Sequence, residues 1–406
     1  MDDVRTLRPR SALAIGVVRG VNALSRGLGR GSGTVVGGRC GLAIEPSLLR
    51  VLARGRQIVL VSGTNGKTTT SAMLRAGWGQ PVAANVTGAN MPEGHVAALC
   101  ASGASRAVLE TDEAWLPHVV AATAPAAVLL LNLSRDQLDR ASEVRQLAQR
   151  WRECLDVPYF SGTVVANAAD PLVVFAAEVA AKVAWVDLPA TWRDDAASCP
   201  HCTRAIVFVG DDWSCPCGFA KPRDCATRLD DGLWIDGVRR DVALALPGAF
   251  NEANAAMALT GLARLGVDLE PAARRLATVT SVEGRYGRRR YGEHVVRVLL
   301  AKNPAGTAAL LSSLSGDDEV WVAINAQVAD GRDPSWIYDV PFEELRGRHV
   351  VCLGERRLDL ATRLLYAGVS AEVVDDPAVL RRGTSAVTLI ANYTAFREWV
   401  GRSAPC

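Results

Sequence analysis

The sequence lacks an excess of charge of either sign, since its formal net charge is only +2. A nucleic-acid-binding domain normally carries a concentrated basic patch, so the composition gives no support for such a partner. We also expect no secretory leader, because the sequence starts with the acidic Met1-Asp2-Asp3. The longest apolar run, 119–133, contains a threonine and a proline and is shorter than the ~20 residues that span a bilayer. We therefore expect a cytoplasmic protein.

We predict that residues 1–50, which are rich in glycine and arginine, form a helical segment before the first domain, here called the lead-in. Its first thirty residues contain Arg5, Arg8, Arg10, Arg19, Arg26 and Arg30. Such a segment could lie on an anionic membrane surface, which would place the protein at the inner face of the membrane. An ordinary solvated helix face explains the same pattern, and we favour that interpretation.

Short apolar runs alternate with helical patterns from residue 57 onward. Their continuous apolar character is typical of strands buried on both faces of a parallel α/β sheet. The runs are Ile58–Val61, Ala107–Leu109, Ala127–Leu131, Val164–Ala166, Ala184–Val186, Val295–Leu300, Glu319–Ile324, His349–Leu353, Ala371–Val374 and Ala386–Ile390. We expect a central domain over 51–290 and a C-terminal α/β domain over 291–406, joined through a basic, glycine-rich linker at 283–290.

The most informative stretch is Gly63-Thr64-Asn65-Gly66-Lys67-Thr68-Thr69, which follows the first apolar run and precedes a helical pattern. A glycine-bearing turn between a strand and a helix points backbone N–H groups and a helix N-terminus at phosphate. Lys67 adds a positive charge, and Thr68 is placed to offer a hydroxyl to Mg²⁺. The sequence therefore predicts a nucleotide site.

Two polar stretches follow later strands and are candidates for the same site. Glu110 comes directly after a strand, where a carboxylate near a phosphate loop is suited to holding Mg²⁺, although a solvated acidic loop explains it as well. The stretch Asn132–Arg140 follows the next strand and either lines the crevice or caps a helix through Ser134. Both interpretations remain open for that stretch.

Cysteines cluster between 199 and 225. Cys199 and Cys202 have the two-residue gap that is usual for zinc, whereas Cys215 and Cys217 are separated by a single residue. The four thiolates predict a structural Zn²⁺ site in an insertion over 195–228. His201 or Cys225 would complete the site instead if the shorter gap does not fit, and the alternative is a group of reduced free cysteines.

Several motifs together resemble the Mur ligase superfamily of ATP-dependent enzymes. They are the phosphate loop, Asn251-x-x-Asn254 at a predicted helix start, and Gly284-Arg285 before the second α/β unit. The stretches 109–117, 136–140, 301–306 and 329–339 and the cysteine insertion narrow the resemblance to the MurT branch.

The resemblance implies a Mur ligase central domain with an inserted zinc ribbon, followed by a Rossmann-like C-terminal domain. It implies amidation of the D-glutamate α-carboxylate of the lipid II stem peptide, through an acyl phosphate made with ATP and Mg²⁺. In that family Lys67 and Glu110 would serve phosphoryl transfer. Asn251 and Asn254 would contact adenine, and Arg285 would lie at the hinge near the nucleotide. Lys302 and Asn303 would contact the nucleotide or the substrate.

The resemblance also implies a heterodimer with a GatD-type class I glutaminase that supplies ammonia. No cysteine in the sequence sits in a glycine-flanked elbow turn, which favours a separate glutaminase. In the family an aspartate completes the partner's Cys-His pair, and Asp339 is the first candidate, with Asp333 the second. The alternative is a conventional Mur or folylpolyglutamate-type ligase, which predicts a large N-terminal substrate domain and a histidine at Gln137.

Overall fold

The computed structural model describes residues 8–28, 34–136, 144–158, 160–190, 192–246, 248–280, 286–314, 319–381 and 386–405. The helices are α1 (Pro9–Gly27), α2 (Thr34–Ile44), α3 (Leu48–Ala53), α4 (Lys67–Trp78), α5 (Pro92–Ala101), α6 (Leu116–Thr123), α7 (Val144–Leu155), α8 (Pro171–Ala177), α9 (Ala249–Arg264), α10 (Leu269–Leu276), α11 (Pro304–Leu311), α12 (Arg357–Tyr366) and α13 (Tyr393–Arg402). The strands are β1 (Gln57–Ser62), β2 (Ala83–Ala84), β3 (Arg106–Glu110), β4 (Ala127–Leu130), β5 (Thr163–Asn167), β6 (Val183–Asp187), β7 (Val207–Val209), β8 (Asp212–Ser214), β9 (Thr227–Leu229), β10 (Leu233–Ile235), β11 (Val238–Arg240), β12 (Tyr286–Tyr291), β13 (His294–Leu300), β14 (Glu319–Ala323), β15 (Val350–Leu353), β16 (Ala371–Val373), β17 (Ala386–Ala391) and β18 (Ala404–Pro405).

The first sheet has the strand order β11-β10-β9-β6-β5-β4-β1-β3-β2. Its strands from β2 to β6 run parallel, and β1 lies between β3 and β4. The register places Val61 beside Glu110 on one neighbour and beside Leu129 on the other. The carboxyl ends of these strands therefore meet at one edge, where ligands bind in open α/β sheets.

Alternate residues of β1 enter two different cores. Ile58 and Leu60 are buried in the core that contains residues of α5, α6, α7 and α8. Val59 and Val61 are buried in the core that contains residues of α4, α9 and α10. Because side chains alternate along a strand and both faces are covered, the whole run must be apolar. This confirms the prediction of a buried, largely parallel α/β sheet.

The lead-in consists of α1, α2 and α3. Pro9 starts α1, where its missing N–H costs no hydrogen bond, and Ala14 and Val18 bury one side of the helix. α1 packs against α2, and α2 packs against α5. Among the residues that the structure describes, no helix combines the length and the apolar character needed to cross a membrane.

The second sheet has the strand order β16-β15-β14-β17-β13-β12-β18. β13 to β17 pair in parallel, whereas β12 pairs antiparallel with β13 and β18. α11 follows β13 directly, so the turn at residues 301–303 lies at the carboxyl edge of this sheet. That turn is the part of the second sheet that reaches the candidate site.

One prediction about chain organisation was wrong in detail. The supposed linker 283–290 is a strand over its described part, because residues 286–290 belong to β12 and pair with β13. The three arginines at 288–290 make this strand hard to recognise in the sequence. They are tolerated because the strand lies near the edge of its sheet and does not need apolar residues on both faces. The segment at the end of the insertion continues the first sheet, because β9 pairs in parallel with β6 and leads into β10 and β11.

Candidate functional site

The phosphate loop lies at the carboxyl end of β1 and leads into α4. Gly63 and Gly66 have φ values of +145° and +87°, which favour glycine. A Cβ on Gly63 would lie 2.8 Å from the Leu131 Cβ, and one on Gly66 would lie 2.4 Å from Asn254 Oδ1. Both glycines are therefore required by backbone conformation and by close neighbours. The helix prediction at Lys67 agrees with the start of α4.

Asn132, at the end of β4, fixes the shape of this loop. Its side-chain oxygen accepts from Asn65 N at 2.8 Å, and its backbone oxygen accepts from Thr64 N at 3.0 Å. Thr64 Oγ1 donates to the Ser134 carbonyl at 3.0 Å and accepts from Ser134 N at 2.9 Å. These bonds hold the loop in one conformation before a ligand arrives, so residues after β4 position the phosphate loop.

Lys67 is buried and already paired. Its Nζ donates to Glu113 Oε1 at 2.5 Å, to the Gly63 carbonyl at 2.5 Å and to the Thr64 carbonyl at 3.3 Å. Burial alone would lower the pKa of Lys67, but the carboxylates of Glu113 and Glu110 outweigh burial and hold that pKa above its ordinary value. Lys67 is therefore a fixed positive charge, and Glu113, to which the sequence analysis gave no role, is its counter-ion.

Thr68 and Glu110 meet beside the loop. Thr68 Oγ1 donates to Glu110 Oε2 at 2.9 Å. Hydroxyl and carboxylate oxygens are the ligands that Mg²⁺ prefers, so this pair fits the cation predicted from sequence.

The backbone of Glu110 is held on both sides. Asn85 accepts from Glu110 N at 2.9 Å and donates to the Glu110 carbonyl at 2.8 Å. His95 Nε2 lies 2.8 Å from the same carbonyl, which can only accept, so this nitrogen carries the proton. Burial lowers the pKa of His95 to about 4. Asn85 and His95 are therefore positioning residues that the sequence analysis missed.

The turn at residues 301–303 joins the second sheet to this edge. Lys302 Nζ forms an ion pair with Asp136 at 2.5 Å. Asn303 is fully buried, exchanges side-chain hydrogen bonds with Asn65 at 3.2–3.3 Å, and donates to Asp136 at 3.2 Å. Although burial opposes it, the charge of Lys302 keeps the pKa of Asp136 below its usual range. The structure thus brings Lys302 and Asn303 to the phosphate loop.

A cavity of about 220 Å³ adjoins the loop. Asn251 and Asn254, in the first part of α9, lie in its wall, and Asn254 Oδ1 accepts from Thr70 Oγ1 at 3.2 Å. Other lining residues are Asn65, Gly66, Thr69, Leu131, Phe250, Leu300 and Leu310. Apolar walls with a few placed amides suit a flat, partly polar ring such as a nucleotide base.

Four cysteine sulfurs converge in the insertion after β6. Cys199 and Cys217 Sγ are 3.7 Å apart, Cys202 and Cys215 Sγ are 3.4 Å apart, and all four ligand atoms lie within 4.8 Å of one another. A tetrahedral zinc with Zn–S bonds near 2.3 Å needs sulfurs roughly 3.8 Å apart, so the group fits Zn²⁺.

The two alternative ligands of the zinc site have other partners. His201 Nε2 lies 2.8 Å from Glu178 Oε1, and Cys225 Sγ donates to the Pro222 carbonyl at 3.3 Å. The one-residue gap between Cys215 and Cys217 is accommodated by Gly218, whose N–H donates to the Cys215 carbonyl at 2.9 Å and whose φ is +95°.

Asp339 ends a short 3-10 turn over Ser335–Asp339 and pairs across the cleft with Arg135 at 3.3 Å. Its carboxylate is 40% exposed, so a partner can reach it. Asp333 instead accepts from Ser335 N at 2.9 Å, and that bond lowers its pKa. Asp333 therefore caps its own turn. Arg285 and residues 137–140 lie outside the described residues, so their predicted roles stay predictions.

Comparisons with known proteins agree with this arrangement. Residues 61–191 match the Mur ligase middle domain, and residues 300–396 match the MurT ligase C-terminal domain. The chain is 29% identical, over 90% of both lengths, to the lipid II isoglutaminyl synthase (glutamine-hydrolyzing) subunit MurT of Staphylococcus aureus strain COL. It is 27% identical, over 93% of both lengths, to the subunit of the same name in Streptococcus pneumoniae strain R6. In structure it resembles a pseudomurein peptide ligase type C from Methanothermus fervidus, with a TM-score of 0.66 and 20% identity over 87% of this chain and 79% of that one.

Proposed function

Because the chain belongs to the MurT family of Mur-type ligases, which act in peptidoglycan biosynthesis, we propose that it is the synthetase subunit of a lipid II isoglutaminyl synthase. Its reaction is the ATP-dependent amidation of the D-glutamate α-carboxylate in the lipid II stem peptide. The observation that carries the proposal is the contact of the phosphate loop with the turn before α11, through Asn65 and Asn303. That contact brings the carboxyl ends of the two sheets together, and we call the phosphate loop and the turn at 301–303 the reaction edge.

The first half-reaction is phosphoryl transfer. A carboxylate oxygen of the substrate bonds to the γ-phosphorus of ATP, the bond to the β–γ bridging oxygen breaks, and ADP leaves. Negative charge must be neutralised throughout this step. Lys67 supplies a fixed positive charge, and Thr68 and Glu110 would hold a Mg²⁺ that would neutralise a further part of the phosphate charge. The cavity beside Asn251 and Asn254 would take the adenine.

The second half-reaction is attack by ammonia on the acyl phosphate. The nitrogen lone pair bonds to the carbonyl carbon, inorganic phosphate leaves, and the nitrogen loses a proton to give the amide of D-isoglutamine. Lys302 lies at the same edge as Lys67 and would neutralise the phosphate that leaves. Asn303 would keep the edge closed to water, since it is fully buried between Asn65 and Asp136.

Ammonia would come from glutamine hydrolysed by a GatD-type subunit. Asp339 is 40% exposed at the end of its turn, and it would orient a partner's histidine by exchanging its ion pair with Arg135 for that contact. Among the described residues, Cys352 is buried inside β15 and is no candidate nucleophile. Hydrolysis of glutamine would fall to the partner.

The four-cysteine group would hold a structural Zn²⁺. Sulfur ligands from four residues leave no open coordination position, so the metal would stabilise the insertion without taking part in the reaction. The insertion is anchored next to the site, because Asp195 accepts from Arg135 N at 3.0 Å.

The test is amidation of lipid II by the purified chain, with ATP and glutamine, in the presence and absence of a co-expressed GatD-type partner. We expect product only with the partner. Product from the chain alone with a free amino acid would support a conventional Mur or folylpolyglutamate-type ligase instead.

A further inference from the structure

One side of α1 carries large apolar side chains that no described residue covers. Leu13, Leu24 and Leu28 are 61%, 64% and 60% exposed. Their spacing of about three turns and then one turn places them on the same side of the helix. Gly16 and Gly20 share that side, and a methyl group added to either would meet no atom within 4 Å. The stripe is therefore open along the length of α1.

The same part of the chain concentrates positive charge. Between Asp3 and Glu45 the sequence has seven arginines and no acidic residue, although the formal net charge of the whole chain is +2. Arg8 and Arg26 are exposed at the two ends of α1. An exposed apolar stripe with flanking arginines matches the chemistry of a helix that lies in the head-group region of an anionic bilayer.

α2 packs against both α1 and α5 and also carries an exposed apolar side chain. Val36 of α2 is 60% exposed. Two residues later, Gly38 approaches α5 so closely that an added Cβ would lie 2.0 Å from the Glu93 carbonyl oxygen. α2 therefore lies directly on the first turn of α5, the helix that places His95 against Glu110.

We propose that α1 and α2 form a docking surface for anionic phospholipids, with Leu13, Leu24 and Leu28 entering the bilayer boundary and the exposed Arg8 and Arg26 contacting phosphates. Charge favours a lipid surface over a second copy of this chain, because two such surfaces would bring like charges together. The sequence analysis favoured a solvated helix face. Three exposed leucines on one side of a helix that has arginines and no acidic residue argue against that interpretation.

This inference goes beyond the proposed function and also complements it. A lipid-borne substrate keeps its stem peptide close to the membrane surface. Docking through α1 and α2 would hold the Glu110 edge near that surface, so the surface raises the local substrate concentration and takes no part in the chemistry.

The test is co-sedimentation of the full chain with vesicles, without ATP or substrate. One vesicle is phosphatidylcholine alone, and the other is an equal mixture of phosphatidylcholine and phosphatidylglycerol. We expect binding to the mixed vesicles that weakens with salt, and a loss of about tenfold or more in the Leu13→Glu/Leu24→Glu variant. A second variant, Arg8→Gln/Arg26→Gln, should also lose binding while leaving the leucines in place.

The matched control is Leu358→Glu/Leu365→Glu on α12, where the two leucines are 65% and 75% exposed. It should bind the mixed vesicles like the unchanged protein. Equal binding by the α1 variants, or no binding of the unchanged protein, would overturn the proposal.

A change of oligomeric state in the α1 variants with unchanged vesicle binding would assign the stripe to a protein contact. Amidation of a water-soluble stem peptide tests the proposed function separately and should not change in the α1 variants.

Discussion

Replacement of His95 by glutamine should remove a pH-dependent part of the stability of the first sheet. His95 is fully buried on α5 and donates through Nε2 to the Glu110 carbonyl. Burial lowers its pKa from 6.5 to about 4; Glu93 opposes that shift and His118 adds to it. Glutamine stays neutral at every pH and keeps an N–H donor for the same carbonyl.

The sign and size follow from the difference between folded and unfolded chains. As the pH falls below about 6.5, the unfolded chain takes up a proton at His95 while the folded chain does not. The free energy of unfolding therefore has its full value, as far as His95 is concerned, above pH 6.5, and it decreases as the pH falls toward 4. The full loss is of order 3 kcal/mol, and roughly 1 kcal/mol of it falls between about pH 7.5 and 5.5.

The pKa itself is the sharper quantity to measure, because a chain with two sheets need not unfold in one step. The sequence has five histidines, so their ring carbon resonances can be resolved by NMR and the His95 signal assigned from its absence in the variant. We expect that signal to keep its neutral position down to the pH at which folded signals disappear. A midpoint near 6.5 would refute the reasoning. His349→Gln, at a side chain that is 60% exposed, is the control.

Three further substitutions test the reaction edge, the partner contact and the metal site. Lys67→Ala should lower ATP turnover roughly a thousandfold by removing the fixed charge, while co-purification with the glutaminase partner persists; loss of the complex would contradict the assignment. Asp339→Asn should lower glutamine-dependent amidation by at least about a hundredfold and leave ammonium-dependent amidation intact. A loss of both activities would contradict a role of Asp339 in the partner's glutaminase site. Cys217→Ser should lose zinc by metal analysis and melt at a lower temperature, whereas Cys225→Ser should keep its zinc; the reverse result would assign Cys225 as the fourth ligand.

The phosphate loop and the central strands were predictable because their constraints are local. Gly63 and Gly66 are required by backbone angles that few other residues adopt. β1 is apolar throughout because both of its faces are covered. In such cases the requirement of the fold is visible in a few consecutive residues.

The missed features depend on contacts between distant parts of the chain. The bond between Asn65 and Asn303 joins residues more than two hundred positions apart, and neither residue type signals the other. β12 was mistaken for a linker because a strand near a sheet edge tolerates charged residues. Asn85 and His95 act on Glu110 through its backbone, so a search for reactive side chains at strand ends passes over both.

The state of Lys67 shows how the edge stays folded before a nucleotide binds. A buried ammonium without partners would be costly, and here Glu113 and two loop carbonyls satisfy it. A phosphate that binds in the loop must exchange with these partners, and it brings more negative charge than the carboxylate that it replaces. Because Glu113 is only three residues after Glu110, its release would act on the segment that holds the predicted Mg²⁺ ligand. Arrival of a phosphate and ordering of the predicted cation site would therefore be coupled through one short stretch of chain.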